Sequence, residues 1–127
     1  MLFKKLVRPE HLNHHGTLFG GYMLLWVDEY AYIAALEEFP TVKFVTRAME
    51  PASFATGVPC GAILTFAVER THVGRTSVTY QVTVSARGLS ETKSAPVFRT
   101  GVTMCAIDGH GRKTPLPSSP HPTGEQP

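Results

Sequence analysis

The chain has 127 residues, 43% of them hydrophobic and 17% charged, with a formal net charge of +2. That is one globular domain with enough chain for a core of its own. These figures exclude a two-domain enzyme with its own nucleotide-binding half, a low-complexity chain, a disulfide miniprotein and an integral membrane protein.

Charge is unevenly spread. Residues 1–69 hold five Lys/Arg against seven Asp/Glu, and residues 70–113 hold seven against two. A mildly basic second half suits a small anionic ligand. It is too sparse for the dense basic stripe of a nucleic-acid binder, so no nucleic-acid partner is expected.

In chain order, residues 2–8 read as a short strand, and the two lysines near the start accompany no apolar run of signal-peptide length. Residues 9–19, PEHLNHHGTLF, read as a loop. Gly20 and Gly21 then open a stretch without Gly or Pro up to Pro40, rich in Leu, Met, Ala and Glu. It predicts a helix over 20–38, ~28 Å long. The helix is apolar on nearly every face through four turns, so it must be wrapped by other structure. It is too short and too acidic to span a bilayer. Residues 42–50, 62–70, 78–87 and 97–107 read as strands. The clearest is Val78, Tyr80, Val82, Val84 and Ala86 alternating with polar neighbours. THVGRT predicts an antiparallel hairpin through Gly74, and DGHG (108–111) a turn. The Pro-rich end (118–127) reads as a flexible tail after a single domain over 1–117. One long helix and four or five antiparallel strands sharing one core define an α+β fold, with a strongly curved sheet around the helix. A sheet this small cannot cover the helix and hide its own edges, so at least a dimer is expected.

Cys60 and Cys105 lie in apolar surroundings without CxxC or Cys/His spacing. They read as buried free thiols, in keeping with the cytoplasm. Asp28 stands out near the middle of the apolar helix. A carboxylate there is costly to desolvate unless it is partnered. It is either a candidate general base or nucleophile, or a carboxylate salt-bridged to Arg or Lys or half-exposed at an interface. Gly20 and Gly21 sit where a helix start presents unpaired N–H groups and the positive end of its dipole. They either hold an oxyanion or only make a tight turn into the helix. Asp28, two turns beyond Gly21, shares its helix face. His11, His14 and His15 sit in a loop and lack the HExxH pattern, so no metal site is expected. No nucleophile elbow, P-loop or dinucleotide fingerprint is present.

The run LNHHGTLFGGYMLLWVDEYAYIAA (12–35) resembles the signature of the hotdog-fold acyl-CoA thioesterases, in the acyl-CoA hydrolase branch. VTRAMEPASF (45–54), GAIL (61–64), GRTSVTYQVTV (74–84) and GVTMCAIDGHGRKTPLP (101–117) are similar to later segments, in order. The resemblance implies a long helix wrapped by an antiparallel sheet. It also implies dimers assembled into trimers of dimers, and active sites at the dimer interface. It assigns Asp28 as the helix carboxylate, and Asn13 as a loop amide acting with the Asp of the other subunit. Gly21 becomes the backbone donor, with Gly20 beside it. Thr76 and Ser77 would line the coenzyme A arm, and Arg75, Arg87, Arg112 and Lys113 are candidates for its phosphates. The acyl chain would lie beside the helix near Trp26 or Tyr30. The expected reaction is hydrolysis of an acyl-CoA to free acid and coenzyme A, with no cofactor beyond the coenzyme A of the substrate. A non-catalytic acyl-CoA-binding module and an enoyl-thioester hydratase or dehydratase are the alternatives. One departure from the family pattern is Gly57, where many relatives have a proline three residues after the strand's Phe.

Overall fold

The computed structural model describes residues 1–118 and 120. Five strands and one long helix form it: β1 (Leu2–Leu6), a 3₁₀ turn (Pro9–His11), α1 (Gly20–Glu38), β2 (Lys43–Met49), β3 (Ile63–Val73), β4 (Ser77–Arg87) and β5 (Ala95–Ile107). The expected tail over 118–127 lies outside the described residues, except for 118 and 120.

The strands pair antiparallel throughout, in the order β1-β3-β4-β5-β2. The sequence periods explain this. Leu64, Phe66 and Val68 of β3, and Val78, Tyr80, Val82 and Val84 of β4, are all buried on the face toward α1. Ala31, Ala34 and Ala35 give α1 small surfaces that let its backbone lie close to that face, with Met23, Trp26 and Val27 filling the space at its start. Phe39 closes the helix, and Pro40 cannot extend it.

The sheet differs from expectation in two places. β3 continues to Val73 rather than stopping at 70, past a bulge between Arg70 and His72. Its last residues are exposed, so no hydrophobic period marks them, and pairing with β4 alone carries the strand to the hairpin. β5 begins at Ala95, and a bulge opposite Val84 and Ser85 lets both Val97 and Phe98 turn inward.

The helix is not wrapped on all sides by its own chain. Leu24, Leu25 and Tyr32 are 41%, 55% and 37% exposed. At 100° per residue, they share one open stripe with Gly21 and Asp28. Val45 on the edge strand β2 is also exposed. A single chain therefore leaves the stripe that carries the candidate carboxylate uncovered.

Candidate functional site

Asp28 is partly exposed on α1, and the Thr46 hydroxyl of β2 donates to its Oδ1 at 2.6 Å. The same hydroxyl lies 3.5 Å from Met104 Sδ. No Arg, Lys or His forms a salt bridge with Asp28 among the described residues. The salt-bridged form the sequence allowed is therefore absent among the described residues, and the partly exposed position leaves a reactive carboxylate and one half-exposed at an interface. Asp28 keeps acceptor capacity beyond the one bond it makes. Thr46 was not singled out from the sequence. It lies in a strand of irregular pattern, and only the packing of β2 against α1 brings it to the carboxylate.

The helix start is shaped by aromatic rings. A Cβ on Gly21 would lie 2.6 Å from Phe19 Cε2, and one on Gly20 would lie 3.1 Å from Phe54 Cζ. Both glycines thus have a packing reason independent of chemistry. The Gly20 and Gly21 N–H groups have no intrahelical partner, as in any first turn, and none outside the helix among the described residues.

Asn13 is built into its own loop. Its Oδ1 accepts the His15 N–H at 2.9 Å and the Thr17 N–H at 3.2 Å, and its Nδ2 donates to Thr17 Oγ1 at 3.3 Å. Two backbone donors on Oδ1 fix which end of the amide is oxygen. One side-chain N–H is left over. Asn13 can therefore donate to a ligand, but its oxygen is already used. It lines a cavity of about 370 Å³ together with Gly20, Met23, Phe54 and Val58. Gly57 belongs to the same wall, and a Cβ there would lie 2.9 Å from Thr17 Cγ2. The departure from proline thus lets residues 50–59 press against the loop that holds Asn13.

The remaining candidates divide between the two ends of the sheet. The backbone of Arg75 and Thr76 accepts hydrogen bonds from Leu116 and Ala106, and Lys113 bridges to Ile107. This gathers Arg75, Thr76, Ser77, Arg112 and Lys113 at one end. Ser77 pairs with Cys105 and Thr46 with Met104, one rung apart along β5, with Thr46 on the face toward α1 and Ser77, beside the inward Val78, on the other face. A second cavity of about 400 Å³ opens there, lined by Lys43, Asp108 and residues 114–117. Arg87 does not join this group. It ends β4 ~33 Å from Ser77, and its guanidinium donates to the Glu91 carbonyl at 3.0 Å.

Trp26 and Tyr30 do not flank Asp28 either. Trp26 packs edge-on to the His11 ring and Tyr30 stacks on Phe3 at 4.5 Å, both on the β1–β3 side of the helix. Residues two positions from Asp28 on a helix point away from it. His11 is buried there, its Nδ1 accepting the Arg8 N–H. Both cysteines are free, Cys105 buried and Cys60 partly so. No group of three metal-ligating side chains occurs among the described residues.

A single helix in a curled antiparallel sheet, with a carboxylate on the helix and glycines at its start, defines a hotdog-type domain. The sequence profile of the thioesterase superfamily matches residues 15–92, and the chain belongs to that family. A solved structure of a hexameric hotdog-fold thioesterase from Campylobacter jejuni superposes with a TM-score of 0.82 at 30% identity, over 91% of this chain and 88% of that one. A protein from Haemophilus influenzae named as an uncharacterized acyl-CoA thioester hydrolase is 26% identical, over 92% of this chain and 77% of its own. Protein VdlD of Helicobacter pylori is also 26% identical, over 92% of this chain, and this chain spans 66% of its length. Among the described residues no helix is long and apolar enough to cross a membrane.

Proposed function

We propose that the protein is an acyl-CoA thioesterase that works as a homo-oligomer in the cytoplasm, hydrolysing acyl-CoA to free acid and coenzyme A. The observation that carries this reading is Asp28, a carboxylate on an apolar helix held by one hydroxyl and, among the described residues, by no cation. Family membership and the names of its relatives agree with it.

In the proposed reaction, the thioester oxygen rests on the Gly21 N–H and on the remaining Asn13 N–H. Both donate where negative charge develops. Asp28 activates water, or attacks the carbonyl itself to give a mixed anhydride. Gly21 and Asp28 of one chain are ~10 Å apart along the helix. An attacking carboxylate must approach the carbonyl carbon to about 3 Å, which this separation does not allow while the oxygen sits on Gly21 of the same chain. Either a water fills the gap, or Asp28 of one subunit serves Gly21 and Asn13 of the other. The exposed stripe of Leu24, Leu25 and Tyr32 around Asp28 favours the second arrangement, since a second copy would cover it. A dimer, and beyond it a trimer of dimers, is the proposed assembly. Coenzyme A would run toward Thr76 and Ser77, with Arg75, Arg112 and Lys113 near its phosphates, and no further cofactor is involved. The hydratase alternative needs an imidazole near the helix carboxylate, and the His11 ring lies against Trp26 on the other side of α1.

The test is release of free coenzyme A from a panel of acyl-CoA substrates. Asp28→Asn should lose about 10²–10⁴ in rate while binding coenzyme A nearly as before. Wild-type rates in that variant on every substrate would end the proposal, and binding without any release by the unaltered protein would favour the acyl-CoA-binding module.

A further inference from the structure

Resting on the thioesterase reading, we infer that the cavity beside the start of α1 receives the hydrocarbon end of the acyl group, that it selects short to medium uncharged chains, and that Met23 sets the length. The cavity is about 370 Å³, near the small end of the range for small-molecule sites. Its floor is closed. Met23, Val58 and Val97 line it and are 1%, 5% and 6% exposed, so each is backed by packed core. Its rim is polar and carries Asn13 and Thr17. The Phe54 ring makes one wall, held by a tilted stack on Phe98 at 4.9 Å.

This division suits one orientation of an acyl thioester. The carbonyl stays at the rim, within reach of the spare Asn13 N–H, and the alkyl tail lies on the apolar floor. No charged side chain lines the cavity. A dicarboxylic acyl group would bring a carboxylate onto that floor without a partner, at a large desolvation cost. The rings expected beside the tail, Trp26 and Tyr30, pack instead on His11 and Phe3 and do not line this cavity. Met23 reaches the cavity from the first turns of α1. Of the buried side chains on its floor, Met23 is longer than Val58 and Val97, so its shortening frees the most space.

The test combines a binding signal with a substrate panel. In the full protein labelled at methionine methyls, hexanoyl-CoA should shift the Met23 methyl resonance and coenzyme A alone should not. Met23→Ala should raise kcat/KM for long chains at least tenfold relative to short ones. Val58→Phe should do the reverse, and succinyl-CoA should be a poor substrate throughout. Binding of hexanoyl-CoA without a Met23 shift would overturn the inference, as would folded variants that change all chain lengths alike. A Met23 shift in a protein that releases no coenzyme A would sustain the cavity assignment and sink the thioesterase reading. Neither signal would sink both.

Discussion

Thr46 Oγ1 lies 2.6 Å from Asp28 Oδ1, joining the edge strand β2 to the middle of α1. The bond fixes the rotamer of the carboxylate and leaves its other oxygen without a described partner. A hydrogen bond to a charged group is worth about 1.5–3 kcal/mol. If Asp28 reacts only in that orientation, Thr46→Val should lower kcat by roughly 10–100-fold with a smaller change in KM. Thr46→Ser should restore most of the rate. Steady-state kinetics on a single acyl-CoA decides this, and an unchanged kcat in Thr46→Val would show that the hydroxyl does not position the carboxylate.

Gly57 reaches Asn13 through Thr17. A Cβ at 57 meets Thr17 Cγ2 at 2.9 Å, and Thr17 holds both ends of the Asn13 amide. Gly57→Ala should therefore shift Thr17 and lower kcat several-fold, with a loss of stability of about 1 kcal/mol from overpacking. Thr17→Ser removes the methyl that clashes and should recover much of the rate in the double variant. Failure of that rescue would break the proposed link from 57 to 13.

The basic residues should separate by position. Arg75, Arg112 and Lys113 sit at the Ser77 end of the sheet, and Arg87 sits at the other. Replacing any of the first three by Ala should raise KM for acyl-CoA about 3–10-fold, more at low salt than at high, because exposed charges are screened. Arg87→Ala should leave KM within about twofold. The same shift from all four substitutions would contradict this placement of the phosphates.

Tyr80 gives the fold a pH limit. Its hydroxyl donates to Glu38 at 2.6 Å, and Arg70 pairs with the same carboxylate at 2.8 Å. Burial, then the hydrogen bond and charge of Glu38, push the phenol far above its ordinary value. The folded state thus holds the proton more tightly than the unfolded one. The resulting stability is complete below the unfolded value near 10 and declines as pH rises past it. Thermal unfolding from pH 8 to 11 should show that decline. Tyr80→Phe should flatten it, at a cost of about 1–2 kcal/mol at neutral pH.

Much of the fold was legible because its signals are local. The period of two along Val78 to Ala86 and the uninterrupted run from Gly20 to Glu38 depend only on near neighbours, and the helix bounds agree to the residue. Asp28 was visible because a charge inside an apolar helix is conspicuous whatever packs against it. Thr46 was not, because its meaning depends on a bulged strand crossing the helix at one place. The far placement of Arg87, and the turning of Trp26 and Tyr30 toward β1 and β3, are likewise properties of long-range register. Two adjacent glycines signal a special backbone site in the sequence, but the rings of Phe19 and Phe54 that make them necessary appear only in three dimensions.

The open stripe on α1 places greasy side chains and the Asp28 carboxylate on the same strip of surface. If copies of the chain meet there, turnover per molecule becomes a function of protein concentration. Dilution below the dissociation constant would then stop turnover without unfolding the chain, and substrate that bridges two chains would hold them together.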